Sequence, residues 1–327
     1  MSARTGSMSN VTTFPAPARS SGLWSLAFRR LKRNRLALAG LFVIAAFVAL
    51  ALLAPLIAPY DPQHQNLRET FESPSWDHLM GTDNLGRDWF SRLLYGARIS
   101  LAVGVFAQLI ILGIGMPIGL IAGYRGGASD SLLMRFTDLM YAFPDLLLII
   151  LLRSVLGGSL FTLFLIIGIV SWVDLARLVR GQALSLKNRE FVDAARSLGA
   201  SDREIMTRHL MPNLLGPITV VVAFGVPRAI FIEAALSFIG VGLDAGVPSW
   251  GSMVQEGYSA IFGSPHLVIF PSAAIALLML AFTFLGDGLR DALDPRIETA
   301  GGRTIAPEAQ TARPSEPAAP EEERRAA

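Results

Sequence analysis

Four stretches of this chain run for 20 residues or more without a single Asp, Glu, Lys or Arg: Leu36–Tyr60, Ile99–Tyr124, Ser154–Val173 and Gly257–Gly286. A bilayer core of roughly 30 Å needs about 20 apolar residues per helix, so each is long enough to cross. Two more apolar segments carry charge: Phe136–Leu152 holds Asp138 and Asp145, and Asn213–Leu243 holds Arg228 and Glu233. Ions are costly in lipid, so these residues are expected to face protein or a cavity. The chain is therefore expected to be an all-α, polytopic membrane protein with about six transmembrane helices. The alternative is that one of the interrupted segments is re-entrant or peripheral. A composition of 52% hydrophobic and only 17% charged residues agrees with this class.

The distribution of the 28 Lys and Arg predicts orientation, because basic residues accumulate in cytoplasmic segments. Seven precede Leu36, two lie in the 124–135 loop, seven lie between Leu175 and Leu215, and six follow Leu285. On the other side, four lie between Ile57 and Arg98, one is Arg153, and none lies between Val241 and Pro265. Both termini are thus expected in the cytoplasm. The 35 residues before the first apolar run, and the length of that run, argue for a retained span over a secretory signal peptide. The net charge of +2 is too small to suggest nucleic acid. There is no Cys, and His64, His78, His209 and His266 show no metal-ligand spacing, so no metal site is expected.

Residues 1–22 and 297–327 have compositions that bury too little apolar surface to fold alone, and read as disordered tails. Between the first tail and the first span, residues 23–35 place Trp24, Phe28 and Leu31 at helical spacing beside a basic cluster. That suits an amphipathic helix on the inner membrane surface, or simply a charged flank that fixes orientation. The membrane domain is expected over 36–296, with an extracytoplasmic loop at 59–98. In that loop Thr82 or Asp83 can cap a helix, and Asp88 lies early in it. Gly113, Gly115, Gly119 and Gly123 would let a second helix approach the next span closely. Pro144 and Pro227 are candidate kinks in spans three and five.

The cytoplasmic segment 175–215 contains KNREFVDAARSLGASDREIMTRHLMPNLLGPI. Phe191, Ala195 and Leu198 fall at i, i+4 and i+7 of a first short helix. Gly199 can take positive φ at its end, and Ser201 with Glu204 makes a capping-box pattern for a second helix, which Pro212 is expected to end. This is more structure than a connector needs. Either its apolar face docks a partner, with Ala194, Ala195 and Gly199 keeping side chains short there, or it packs on the protein's own inner face.

FVDAARSLGA, followed by Ile205, His209, Leu210 and Pro212, resembles the EAA loop of bacterial ABC importer permeases. GTDNLGRDWFSRLLYGARISL, EAALSFIGVG with PSWG, and GDGLRDALDPR resemble the peptide and nickel branch of that family, of the type I importer kind. The likeness runs from about Arg30 to Arg296. It implies a C-type permease subunit of a dipeptide, oligopeptide or nickel importer, working beside a second homologous permease, two cytoplasmic ATPases and an extracytoplasmic substrate-binding protein. Carried over by position, Phe191, Asp193, Ala194, Ala195, Leu198, Gly199 and Pro212 would form the ATPase-coupling loop. Asp193 stands where the motif has Glu. Ala245-Gly246-Val247 replaces a Pro-rich turn, and Thr283 replaces a common Asn.

Nucleotide chemistry within the chain is excluded by its lysines. A P-loop needs Lys followed by Ser or Thr, whereas Lys32 precedes Arg33 and Lys187 precedes Asn188. GGSLF at 157–161 fails the pattern of a serine-hydrolase elbow. No catalytic residue and no cofactor bound by this chain are expected; the resemblance places ATP and magnesium in the ATPase partners. Asp138, Asp145, Arg228 and Glu233 are candidates to face a polar path or the partner permease. Structural pairing, such as Asp138 with Arg135, competes with that role. An ATP-independent secondary transporter or channel is the alternative, although no internal repeat of the kind such folds carry is evident.

Overall fold

The computed structural model describes residues 23–157, 159–244 and 246–293. The expected tails at 1–22 and 297–327, and Ala245, lie outside them. Every regular element among the described residues is a helix, apart from an isolated bridge between Thr82 and Asp88. Four helical stretches are long and apolar enough to cross a membrane unbroken: α2 (Arg35–Ile57), α3 (Trp89–Arg125), the stretch Asp202–Phe238, and α12 (His266–Leu293). Two bent pairs bring the number to six when each counts as one span. They are α4 (Gly127–Tyr141) with α5 (Asp145–Leu156), bent by 81°, and α6 (Leu160–Ser171) with α7 (Val173–Leu186), bent by 42°.

α3 is the centre of the bundle, packing against α2, α4, α6 and α7 and against α10 (Met211–Phe238) and α11 (Trp250–Tyr258). Gly115, Gly119 and Gly123 lie against the backbone of 172–180, so α7 sits on α3 at backbone distance, whereas Gly113 meets nothing within 4 Å. Small residues at such a contact let helices gain dispersion energy where lipid supplies no hydrophobic drive between them. The outer side of α2 shows the complementary pattern: Phe42, Leu52 and Leu56 remain largely exposed, as a lipid-facing surface requires.

Several boundaries differ from the sequence expectation. α1 (Leu23–Leu31) ends four residues short of 35, because the Asn34 side chain accepts from the Leu36 and Ala37 amides, both at 3.1 Å, and so starts α2. α1 packs on α12, with Ala27 buried and Phe28 exposed. α3 starts at Trp89, within the expected 59–98 loop, and its N-cap is Asp88, which accepts from the Ser91 amide at 2.7 Å, in place of Thr82 or Asp83. The charge-free run Gly257–Gly286 is divided: Gly257 belongs to α11, a turn follows, and α12 begins only at His266.

The largest correction falls in 175–215, which is mostly helix. α7 reaches Leu186, α8 covers Glu190–Ser197, and α9 (Asp202–Glu204) runs through a π-helical turn (Ile205–Leu210) directly into α10. Pro212 does not end this helix. Its ring would clash with the carbonyl four residues back in a regular α-helix, and the wider π turn, in which the Met211 amide bonds to the Met206 carbonyl, makes room for it. Pro227 likewise lies inside a continuous α10, whereas Pro144 stands at the 81° break.

Candidate functional site

Two features carry polar chemistry out of this apolar bundle: an exposed helical hairpin and a charged cleft at the breaks of the two bent spans. The hairpin is α8, the turn 198–201 and α9. Gly199 has φ +85°, and the Ala200 amide reaches back to the Ala195 carbonyl at 3.1 Å, closing α8 in a left-handed cap. Ser201 then accepts from the Glu204 amide at 3.3 Å, starting α9.

The hairpin's orientation differs from the i, i+4, i+7 reading. Val192 and Ala195 turn inward and join a core with Ile205, Leu210 and Leu214, while Phe191, Asp193, Ala194 and Gly199 are exposed and Leu198 is 89% exposed. Ala195 therefore belongs to the hairpin's own support. The Tyr124 hydroxyl donates to Asp202 at 2.8 Å and further ties the hairpin to the end of α3. The outward face holds an apolar tip, Leu198, above an Arg196–Asp193 pair at 3.0 Å.

The cleft, of about 300 Å³, opens between the α4–α5 break, the α6–α7 break and α10. Arg228 of α10 reaches both breaks: its Nη1 donates to Asp174 Oδ2 at 2.9 Å and its Nη2 to Asp145 Oδ2 at 3.0 Å. One guanidinium thus pins two bent spans to a continuous one. Asp174 was not singled out in the sequence because it is the first charge after an apolar run and resembles a loop residue; the 42° bend places it at the cleft. Behind the cleft lies a smaller cavity of about 50 Å³, lined by Arg228 and Asp174 together with Gln108 and Gly225.

The remaining candidates are not part of this cleft's triad. Asp138 pairs with Arg177 at 2.7 Å instead of Arg135, and Arg177 lies 4.1 Å over the Tyr141 ring. Glu233 is fully buried, accepting from Ser237 at 2.8 Å and Ser100 at 3.3 Å, so the chain itself encloses it. Arg153 caps the α5 end, donating to the carbonyls of Gly157, Ser159 and Gly242 and to Thr162 Oγ1.

The segment before α3 forms a polar knot. Asp83 binds the Arg87 Nε at 2.6 Å and Arg92 Nη1 at 3.1 Å, and the same two arginines meet Glu256 of α11, each at 2.8 Å. His78 Nδ1–H donates to Asp88 Oδ1 at 2.9 Å, and the ring faces Glu69 at 3.4 Å and stacks on Tyr60. Burial works against charging this imidazole, but the two carboxylates outweigh it and raise its pKa above the ordinary value.

A bundle of kinked spans around a water-accessible charged cleft, with a surface hairpin at one end, defines a multi-pass membrane permease. The chain belongs to the binding-protein-dependent transport system inner membrane component family, whose profile matches residues 115–299. The N-terminal transmembrane domain of oligopeptide transport permease C matches 22–74. The oligopeptide transport system permease protein OppC of Bacillus subtilis is 44% identical over 279 residues, covering 85% of this chain and 92% of that protein. The dipeptide permease DppC of the same organism is 46% identical over 272 residues, covering 83% and 85%. The glutathione permease GsiD of Pectobacterium atrosepticum is 42% identical over 278 residues, covering 84% and 92%. Among solved structures, a chain of the inward-facing MetNI methionine ABC transporter shares the fold, with a TM-score of 0.52 at 17% identity, covering 62% of this chain and 96% of that one.

Proposed function

We propose that this permease forms half of the translocation path of an ATP-driven importer for peptides or related small solutes. The single observation that carries the coupling part is the hairpin: Val192 and Ala195 anchor it from beneath, leaving Phe191, Ala194, Leu198 and Gly199 exposed on its outer face beside the Asp193–Arg196 pair. Leu198 at 89% exposure, on a hairpin held by a core, suits insertion into a groove of an ATPase. Pro212 acts through the π turn, which joins the hairpin to α10 without a break.

The remaining assembly follows from the same reading. A second homologous permease completes the path, two ATPases bind ATP and magnesium while this chain holds no cofactor, and an extracytoplasmic binding protein delivers the solute. The distribution of basic residues supports a cytoplasmic location for both termini and the hairpin. Asp145 and Arg228 then face the path, whereas Asp138 serves as a pairing partner for Arg177.

The test is purification in detergent with the neighbouring subunits, followed by reconstitution. The importer reading predicts a complex whose ATP hydrolysis drives accumulation of labelled trialanine in proteoliposomes. Transport by this chain alone, without ATP, would establish a secondary transporter instead.

A further inference from the structure

The cleft carries more charge than its ion pairs cancel. Arg228 holds one positive charge against the two carboxylates of Asp145 and Asp174, and all three side chains are about half exposed, at 52%, 49% and 56%. Arg228 lies ten residues before the Phe238 end of α10, about 15 Å along its axis at 1.5 Å per residue, so the triad is inside the spanning part of the bundle. Half-exposed ions at that depth do not face lipid; they face water. An unbalanced carboxylate in a low-dielectric wall attracts a cation more strongly than it would in bulk water.

A second observation points to a ligand at the same place. Gln108 is 3% exposed, and neither its amide nitrogen nor its amide oxygen has a hydrogen-bond partner. It lines the smaller cavity, which shares Arg228 and Asp174 with the cleft. An unpaired buried amide is destabilising, and an amide-bearing solute or water in this cavity would offset that cost. At the mouth of the cleft stands Phe143, more than half exposed, whose ring faces favour cations, while Arg177 already covers the Tyr141 ring.

The geometry points to the Asp145–Arg228–Asp174 triad as a charge-selective contact for the solute in transit, favouring solutes with an ammonium or guanidinium side chain over anionic ones. Resting on the peptide-importer reading, it adds a charge preference to the path itself, beyond whatever the binding protein selects. The solute's cation takes the place of part of Arg228 at the carboxylates, leaving the guanidinium on the remaining one.

The experiment uses the complete reconstituted importer and two labelled tripeptides, Ala-Lys-Ala and Ala-Glu-Ala, each saturating the binding protein. Both carry the same terminal charges, so the ratio of their uptake rates reads the side-chain preference. Asp145→Asn and Asp174→Asn each neutralise the triad and are expected to lower that ratio by about fivefold. Arg228→Gln makes the triad more negative and is expected to raise it. Asp145→Glu, which keeps the charge, is expected to keep the ratio. Equal loss of both peptides, or an unchanged ratio in assembled Asp variants, overturns the proposal. Should the Asp variants not assemble, the direction of change in Arg228→Gln decides it. Uptake of neither peptide by the unaltered importer overturns the peptide reading, and the charge preference falls with it.

Discussion

Gly119 on α3 lies so close to the Ala176 carbonyl on α7 that a Cβ there would overlap the oxygen. Gly119→Ala must therefore separate the two helices, and overpacking of this kind costs about 1–3 kcal/mol. Gly113→Ala, one and a half turns away with nothing within 4 Å, gains helix propensity instead and is expected to stabilise by up to about 1 kcal/mol. Thermal denaturation of the two variants in one detergent measures the opposite signs.

Asp83 is 2% exposed and accepts hydrogen bonds from both Arg87 and the fully buried Arg92. Asp83→Ala leaves Arg92 dependent on Glu256 alone inside a buried network. The loss is expected at about 3–5 kcal/mol, the range for breaking a buried ion pair. Glu256→Gln, at a partly exposed position that keeps a hydrogen-bonding side chain, is expected to cost less. Expression level and melting temperature rank the two.

The hairpin separates coupling from stability. Leu198→Glu alters an 89% exposed side chain, so its effect on folding is expected within about 0.5 kcal/mol. It places a charge on the proposed ATPase contact, and reconstituted transport is expected to fail while the melting temperature holds. Gly199→Leu adds backbone strain at φ +85° and is expected to lose both. Full transport by Leu198→Glu would remove the coupling assignment.

His78 has a folded-state pKa raised above its ordinary value of 6.5, because Asp88 and Glu69 outweigh the burial that disfavours charge. A raised pKa means the folded state holds the proton more tightly. Its contribution is fully present below about 6.5 and is lost as pH rises through the raised value. Wild type is therefore expected to lose melting temperature relative to His78→Gln as pH rises from 6.5 through the raised value, measured in parallel buffers.

The spans were legible because lipid imposes a length and a composition that a single sequence displays. Asp145 and Arg228 were visible for the same reason, as ions where hydropathy permits few. What stayed hidden was direction. Phe191 and Val192 are adjacent, Ala195 follows either at helical spacing, and only the π turn and α10, packed beneath, decide that Val192 points inward. Asp174 and Gln108 were hidden because their importance depends on a 42° bend and on a helix brought near by glycines, neither of which is encoded in the residues beside them. Pro212 misled because a proline has two accommodations, ending a helix or widening it, and local pattern does not distinguish them.

The stretch from Asp202 to Phe238 is one helix of 37 residues with a bulge but no joint. At 1.5 Å per residue it is about 55 Å long, with the hairpin at one end and Arg228 about 15 Å from the other. A push received at Ser201 travels along one unbroken helix before it reaches the guanidinium. Because Arg228 grips Asp145 and Asp174, tilting this helix drags two elbows at once: a lever arm whose short end holds the doors.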